Sequence, residues 1–221
     1  MPLINFAKRE ITYKLVYYGT GLGGKTTNLK YIHGQVNHAC RGEMISLATE
    51  TERTLFFDFM PLELDLVNGF RARIAIYTVP GQEEYDLSRK QILRGCDGII
   101  FVADSSSVRQ DANIESLKNM RENLVFNKLK LEEIPWILQY NKRDLPNAAS
   151  LEEMRKLLNP TQVPDYEASA ASGDGVFETL KAVAKGVLTN LNNMGPSQSP
   201  AESARPSPRT PTDETRRVGS R

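Results

Sequence analysis

The apolar positions of the chain recur in two rhythms that alternate along most of its length. ITYKLVYY, Ile11–Tyr18, predicts a first strand. Phe70–Val79 sets apolar Phe70, Ala72, Ile74 and Ile76 against Arg71 and Arg73, as a strand with one partly exposed face would. Leu55–Met60 (LFFDFM) is also strand-like, and these two runs are expected to form a hairpin across Pro61–Gly69. Gly98–Ala103 and Trp136–Tyr140 are apolar or nearly so throughout, which suits parallel strands covered on both faces. Helical spacing appears at Thr27–Ile32, Asp86–Arg94, Asp111–Asn127 and Leu151–Leu158. A last helix carries Val176, Phe177, Leu180, Val183, Ala184, Val187, Leu188 and Leu191, a stripe that predicts core packing. Strands alternating with helices predict an α/β fold. Its central sheet is expected to be mostly parallel with one antiparallel strand pair, with helices on both faces and right-handed crossovers. No internal repeat is evident.

The pattern stops near Gly195. From there to Arg221 prolines, serines and arginines dominate, and Val218 is the one large aliphatic. Such a segment buries too little apolar surface to offset its ordering entropy. The expected organisation is a folded domain over residues 1–194 and a disordered, mildly basic tail over 195–221. The 221 residues carry a formal charge of +1, so no global field draws the chain to nucleic acid or anionic lipid. Cys40 and Cys96 are the only cysteines and read as free thiols in a reducing compartment, hence a cytoplasmic protein. No apolar run is long enough to span a membrane, no signal-peptide core opens the chain, and no cysteine near the end offers a prenyl anchor. His33 and His38 have no ligand framework around them, and metal binding there is not expected.

The chemistry begins at GTGLGGKTT, Gly19–Thr27. Gly19, Gly24, Lys25 and Thr26 match the G-x-x-x-x-G-K-[ST] phosphate loop. Glycines, here Gly19, Gly21, Gly23 and Gly24, let successive N–H groups turn toward phosphate oxygens. The helix that follows, from Lys25 through Thr27, adds its N-terminal dipole. Lys25 would reach the β- and γ-phosphates, and the Thr26 hydroxyl would ligate Mg²⁺. At Gly21 any side chain would point toward the phosphates.

A phosphate loop alone does not separate ATP from GTP. NKRD, Asn141–Asp144, closes a buried strand far downstream and does. The Asp144 carboxylate can accept from N1–H and the 2-amino group of guanine, whereas adenine would leave it unpaired. Asn141 can bond the base and tie loops together, and the Lys142 stem can lie over the ring. EASAASG, Glu167–Gly173, resembles the second base-contacting loop of guanine-nucleotide-binding proteins, a resemblance that implies Ser169 as the loop's stabiliser and the Ala170 N–H as the group meeting the guanine carbonyl.

Together these motifs resemble the Ras-like small GTPases, a P-loop NTPase family, over residues of roughly 10–194. The runs LVYYGTGLGGKTTNL, SLATETERTLFFDF, YTVPGQ, FVADS and QYNKRDLPNA are similar to the bacterial MglA-type branch, the polarity and gliding-motility switches. The resemblance implies a monomeric GTP-hydrolysing switch with GTP/GDP and Mg²⁺ bound, an MglB-type Roadblock-domain activator, and effectors at a cell pole. It places Gly81 in PGQ as the γ-phosphate sensor and Gln82 as the residue orienting the attacking water. Thr78 stands where the family pattern has an aspartate serving the Mg²⁺ water shell; MglA-type proteins share this departure, and the outer ligation is left open. A first switch is expected between Gly34 and Glu52, a long polar stretch. Thr54 is the choice for the hydroxyl sensing γ-phosphate and Mg²⁺, with Thr49 and Thr51 as rivals. Arg53, read alone, is open between a solvated charge and a functional one. By resemblance it is an arginine finger supplied in cis. Turnover is expected to be slow until a partner aligns these groups. Two alternatives stand: a nucleotide-gated module with negligible hydrolysis, opposed by Gln82 and Arg53, and an ATP-dependent kinase, opposed by NKRD.

Overall fold

The computed structural model describes residues 2–47, 57–67 and 69–193. The strands are β1 (Leu3–Asn5), β2 (Glu10–Gly19), β3 (Ile45–Leu47), β4 (Phe57–Val67), β5 (Phe70–Thr78), β6 (Gly98–Asp104), β7 (Trp136–Asn141) and β8 (Asp165–Glu167). The helices are α1 (Lys25–Gln35), α2 (Asp86–Leu93), α3 (Gln110–Phe126), α4 (Leu151–Leu158) and α5 (Val176–Asn193). The sheet order is β3-β4-β5-β2-β6-β7-β8, with β1 beside the start of β2. The five strands from β5 to β8 in that order run parallel. The long β4–β5 ladder is the expected antiparallel pair, and the three-residue strands β1 and β3 add short antiparallel edges.

Two cores cover the sheet. On one face Leu29 and Ile32 of α1 pack with Leu180, Val183 and Val187 of α5 against Leu15, Tyr17 and Ile100. On the other, Ile92 and Leu93 of α2, Leu117 and Met120 of α3, and Met154 and Leu158 of α4 cover Val16, Phe101 and Leu138. β6 is buried along its whole length, which explains why its sequence does not alternate. Ser150 and Glu153 form a capping box that starts α4 where the sequence places it. Cys40 is exposed and Cys96 buried, and both are free thiols.

The hairpin is tighter than expected. Pro61 does not begin the connection; β4 continues to Val67 and β5 begins at Phe70, with Gly69 at φ 80°. Leu62 pairs with Ile74 and Glu63 with Arg73, whose side chains also form an ion pair of 2.8 Å. Pro61 is tolerated because its carbonyl, and hence its missing N–H, faces the outer edge, where it accepts from Gly42 N–H. Within the stretch expected as a movable loop, a 3₁₀ turn forms at His38–Cys40, and β3 hangs on β4.

Candidate functional site

β2 ends where the phosphate loop begins. Gly19 and Gly24 both adopt positive φ, 140° and 99°. A Cβ at Gly19 would lie 2.2 Å from the Val102 carbonyl oxygen, and one at Gly24 would lie 2.1 Å from Asn141 Nδ2. Neither position admits a side chain, so the backbone can curl between β6 and the base-reading turn. Gly24 caps α1, whose first turn carries no acid, leaving its N–H groups and dipole to a ligand. Lys25, Thr26 and Thr27 occupy that first turn. Lys25 is buried and donates to the carbonyls of Gly19 (2.9 Å) and Thr20 (2.6 Å), so its ammonium arches back over the loop.

Burial pushes the Lys25 ammonium down to about 7; the nearby Arg89 adds to this and Asp58 opposes it. Between that value and the lysine pKa of an unfolded chain, about 10.4, the unfolded state holds the extra proton, so the ligand-free fold gains stability as pH rises. Phosphate oxygens favour the ammonium. Above pH 7, binding is therefore expected to take up as much as one proton, and affinity to fall by up to about tenfold per pH unit. Titration calorimetry in buffers of different ionisation enthalpy at about pH 8 checks this. Lys25→Arg, which keeps its charge, is expected to abolish the proton uptake.

The base-reading turn follows β7 and is tied to the loop by a single side chain. Asn141 donates from Nδ2 to the Gly23 carbonyl (2.9 Å) and accepts at Oδ1 from the Ala170 N–H (2.9 Å). The Ala170 N–H, expected to face the guanine carbonyl, is thus already engaged by Asn141. Lys142 sits at φ 66°, and its Nζ pairs with the buried Asp104 at 2.7 Å, which anchors the stem from its far end. Arg143 is fixed by Glu167 (2.9 Å) and the Ala149 carbonyl (2.7 Å). Asp144 is exposed, and its carboxylate bonds to none of the described residues. Ser169 closes its own loop: its N–H donates to Asp174 O (2.9 Å), and its carbonyl accepts from Gly173 N–H (2.7 Å).

Across the phosphate loop, a cleft of about 1230 Å³ runs from Gly19–Thr26 past Asp58 and Thr78 to Gln82, and on between α2 and α3. The NKRD turn lies beyond its lining. Gly81 rests on the loop so closely that a Cβ there would meet Gly21 N at 2.2 Å. A Cβ at Gly21 would face Gly81 O at 3.4 Å, so larger side chains at Gly21 run into this segment. Gln82 is exposed, while its carbonyl accepts from Arg89 and from the Tyr85 N–H. Arg89 also reaches Pro80 O (3.4 Å) and Asn119 Oδ1 (2.9 Å), pinning the PGQ backbone to α3. Asp86 is held well below the usual carboxylate range: burial would raise it, but hydrogen bonds from Lys90, Asn119 and Asn123 outweigh that. Arg109 donates to Gly21 O at 3.0 Å.

Thr26 and Thr78 meet at a buried carboxylate. Asp58 accepts from Thr26 Oγ1 (2.6 Å), Ser46 Oγ (2.7 Å) and Thr78 Oγ1 (3.0 Å). This corner of hard oxygen donors fits Mg²⁺, which keeps several waters and phosphate oxygens and takes few protein ligands. Among the described residues no group of three or more His, Cys, Asp or Glu could hold a metal ion. Arg53 and Thr54, with their rivals Thr49 and Thr51, lie outside the described residues. Unforeseen in the sequence are Arg89, Arg109 and Asp58. Only Asp58 carried a signal, as a lone charge inside LFFDFM.

A mostly parallel sheet with the G-x-x-x-x-G-K-[ST] loop between β2 and α1 and the NKRD turn after β7 has the architecture of a P-loop nucleotide-binding protein. More narrowly, the chain belongs to the Ras family, which it matches over residues 14–189. It is a small GTPase and binds guanine nucleotide. It is 57% identical over 195 residues to the mutual gliding-motility protein MglA of Myxococcus xanthus (strain DK1622), covering 88% of this chain and 100% of that protein. It is 24% identical over 194 residues to ADP-ribosylation factor-related protein 1 of Rattus norvegicus and of Mus musculus, with 85% of this chain and 90% of theirs covered. None of the helices among the described residues is long and apolar enough to cross a membrane.

Proposed function

We propose that the chain is a slow GTP-hydrolysing timer in the control of cell polarity or gliding motility, speeded by an MglB-type Roadblock-domain activator and read by effectors at a cell pole. One observation carries the switch reading: the PGQ segment rests directly on Gly21 of the phosphate loop, so whatever fills the γ-phosphate position must displace or grip it. The motility assignment rests on the 57% identity to a gliding-motility protein.

In this reading Lys25 and the α1 N–H groups hold the β- and γ-phosphates, and Asp144 reads the base. Thr26 and Thr54 would hold Mg²⁺, whose charge would offset that of the phosphates. Gln82 holds a water in line with the γ-phosphorus. The water oxygen forms a bond to phosphorus as the bond to the β–γ bridging oxygen breaks. GDP leaves with that electron pair, and the water's protons pass to phosphate and solvent. Arg53 neutralises charge on the leaving oxygens. Residues 195–221, the expected tail, lie outside the described residues.

The test is single-turnover GTP hydrolysis by the full chain, with and without a Roadblock-domain partner. Wild type is expected to be slow alone and strongly stimulated. Arg53→Ala is expected to lose about 10³-fold or more of the stimulated rate, the scale on which an arginine finger acts. An Arg53→Ala rate equal to wild type would return Arg53 to a solvated surface charge.

A further inference from the structure

We propose that Arg109, at the start of α3, reads the γ-phosphate: its guanidinium bonds GTP and not GDP, from a wall of the cleft that belongs to neither the phosphate loop nor the PGQ segment. This rests on the reading of the cleft as a guanine-nucleotide site.

Arg109 closes the 3₁₀ turn Ser107–Arg109, and α3 begins at the next residue. Its N–H donates to Ser106 O (3.0 Å), so its backbone is fixed where the turn passes into the helix. The side chain lines the cleft and crosses to the phosphate loop, 88 residues away in sequence, where Nη2 donates to Gly21 O at 3.0 Å. Gly21 is also the seat of the PGQ segment, since a Cβ at Gly81 would meet Gly21 N at 2.2 Å. The guanidinium therefore stands beside the point where loop and PGQ meet, the position that the switch reading gives to the γ-phosphate. GDP ends one phosphate short of it.

The cations of the cleft differ in what engages them. Lys25 donates to the Gly19 and Thr20 carbonyls within the loop. Arg89 is engaged by Pro80, Gln82 and Asn119 and pairs with Asp86. The Arg109 side chain holds one carbonyl, and no carboxylate among the described residues pairs with it. A guanidinium carries five N–H donors in a rigid fork that matches two phosphate oxygens at once. With one arm on Gly21 O, the fork is already oriented and keeps donors for an anion, so little side-chain freedom is lost on binding. Arg109 is half-buried, and its charge is screened less than that of an exposed residue. A mere brace between α3 and the loop would serve GDP and GTP alike, so the ratio of the two affinities separates the two roles.

The experiment is competition of GDP and of the non-hydrolysable analogue GppNHp against fluorescently labelled GDP on the full chain. Arg109→Gln removes the charge and keeps a donor for Gly21 O. Its GppNHp affinity is expected to fall by about 10- to 100-fold, the loss for a hydrogen bond to a charged group, with GDP affinity changed by less than about threefold. Equal losses for the two nucleotides, or no loss for either, overturn the assignment. Modification of Arg109 in the wild-type chain by phenylglyoxal, read by mass spectrometry, covers the case in which the variant does not fold. It is expected to be slower with GppNHp bound than with GDP bound, and equal rates overturn the assignment. Failure of the underlying reading looks different: a wild-type chain that binds neither nucleotide takes both down.

Discussion

Asp144→Ala is expected to weaken GTP and GDP binding by about 10²- to 10⁴-fold and to erase the preference for guanine over adenine nucleotides. The carboxylate is exposed and free of partners among the described residues, so the base would find both oxygens available. Two hydrogen bonds from guanine to a charged acceptor contribute roughly 1.5–3 kcal/mol each. Together they amount to about 3–6 kcal/mol, and each 1.4 kcal/mol is a factor of ten. Nothing in the substitution disturbs the turn. Arg143 remains tied to Glu167 and Ala149, Lys142 to Asp104, and Asn141 to the phosphate loop. ATP, which makes neither bond to Asp144, is expected to bind as weakly to the variant as to wild type. Competition of GDP and ADP against a labelled nucleotide measures both. An unchanged ratio would mean that discrimination resides elsewhere, with the Asn141–Ala170 pair the nearest alternative.

The phosphate-loop and NKRD motifs stand out in the sequence because each is contiguous along the chain. Glycines, a lysine and a threonine must be adjacent to wrap a phosphate, and NKRD must be contiguous to frame a base. Long elements were legible for a different reason: α3 and the α5 stripe repeat often enough for periodicity to show. β1, β3 and β8 have three residues each, too few for any period to register. Pro61 misled because a proline usually ends a strand, and whether its missing N–H falls on an edge is a matter of topology. The same limit hid the residues that hold the PGQ segment. Arg89 is read from sequence as one more helix cation, and only folding brings it to Pro80, Gln82 and Asn119. Position 78 is the clearest case. Along the chain it is a lost carboxylate; across the sheet, Asp58 stands one hydrogen bond away.

Gln82→Leu is expected to bind GTP within about twofold of wild type and to lose about 10²-fold or more of activator-stimulated hydrolysis, the penalty for a misplaced reactant. The geometry separates these effects. The Gln82 backbone is held by Arg89 and Tyr85, contacts that leucine keeps, so the PGQ segment retains its seat on Gly21. The side chain is exposed at the cleft wall, and its amide is the part that leucine removes. A glutamine with a fixed backbone and an exposed side chain suits a step that waits for a partner to align it. By the same contacts Gly21 is expected to be sensitive: a bulky residue there would push on Gly81 and move Gln82 without touching its amide. Phosphate release in a single turnover, with nucleotide affinity measured in parallel, distinguishes loss of chemistry from loss of binding. Wild-type hydrolysis by Gln82→Leu would remove the amide from the reaction. Water orientation would then fall to groups that bond across the cleft, and the role of the PGQ segment would reduce to sensing the γ-phosphate through Gly81.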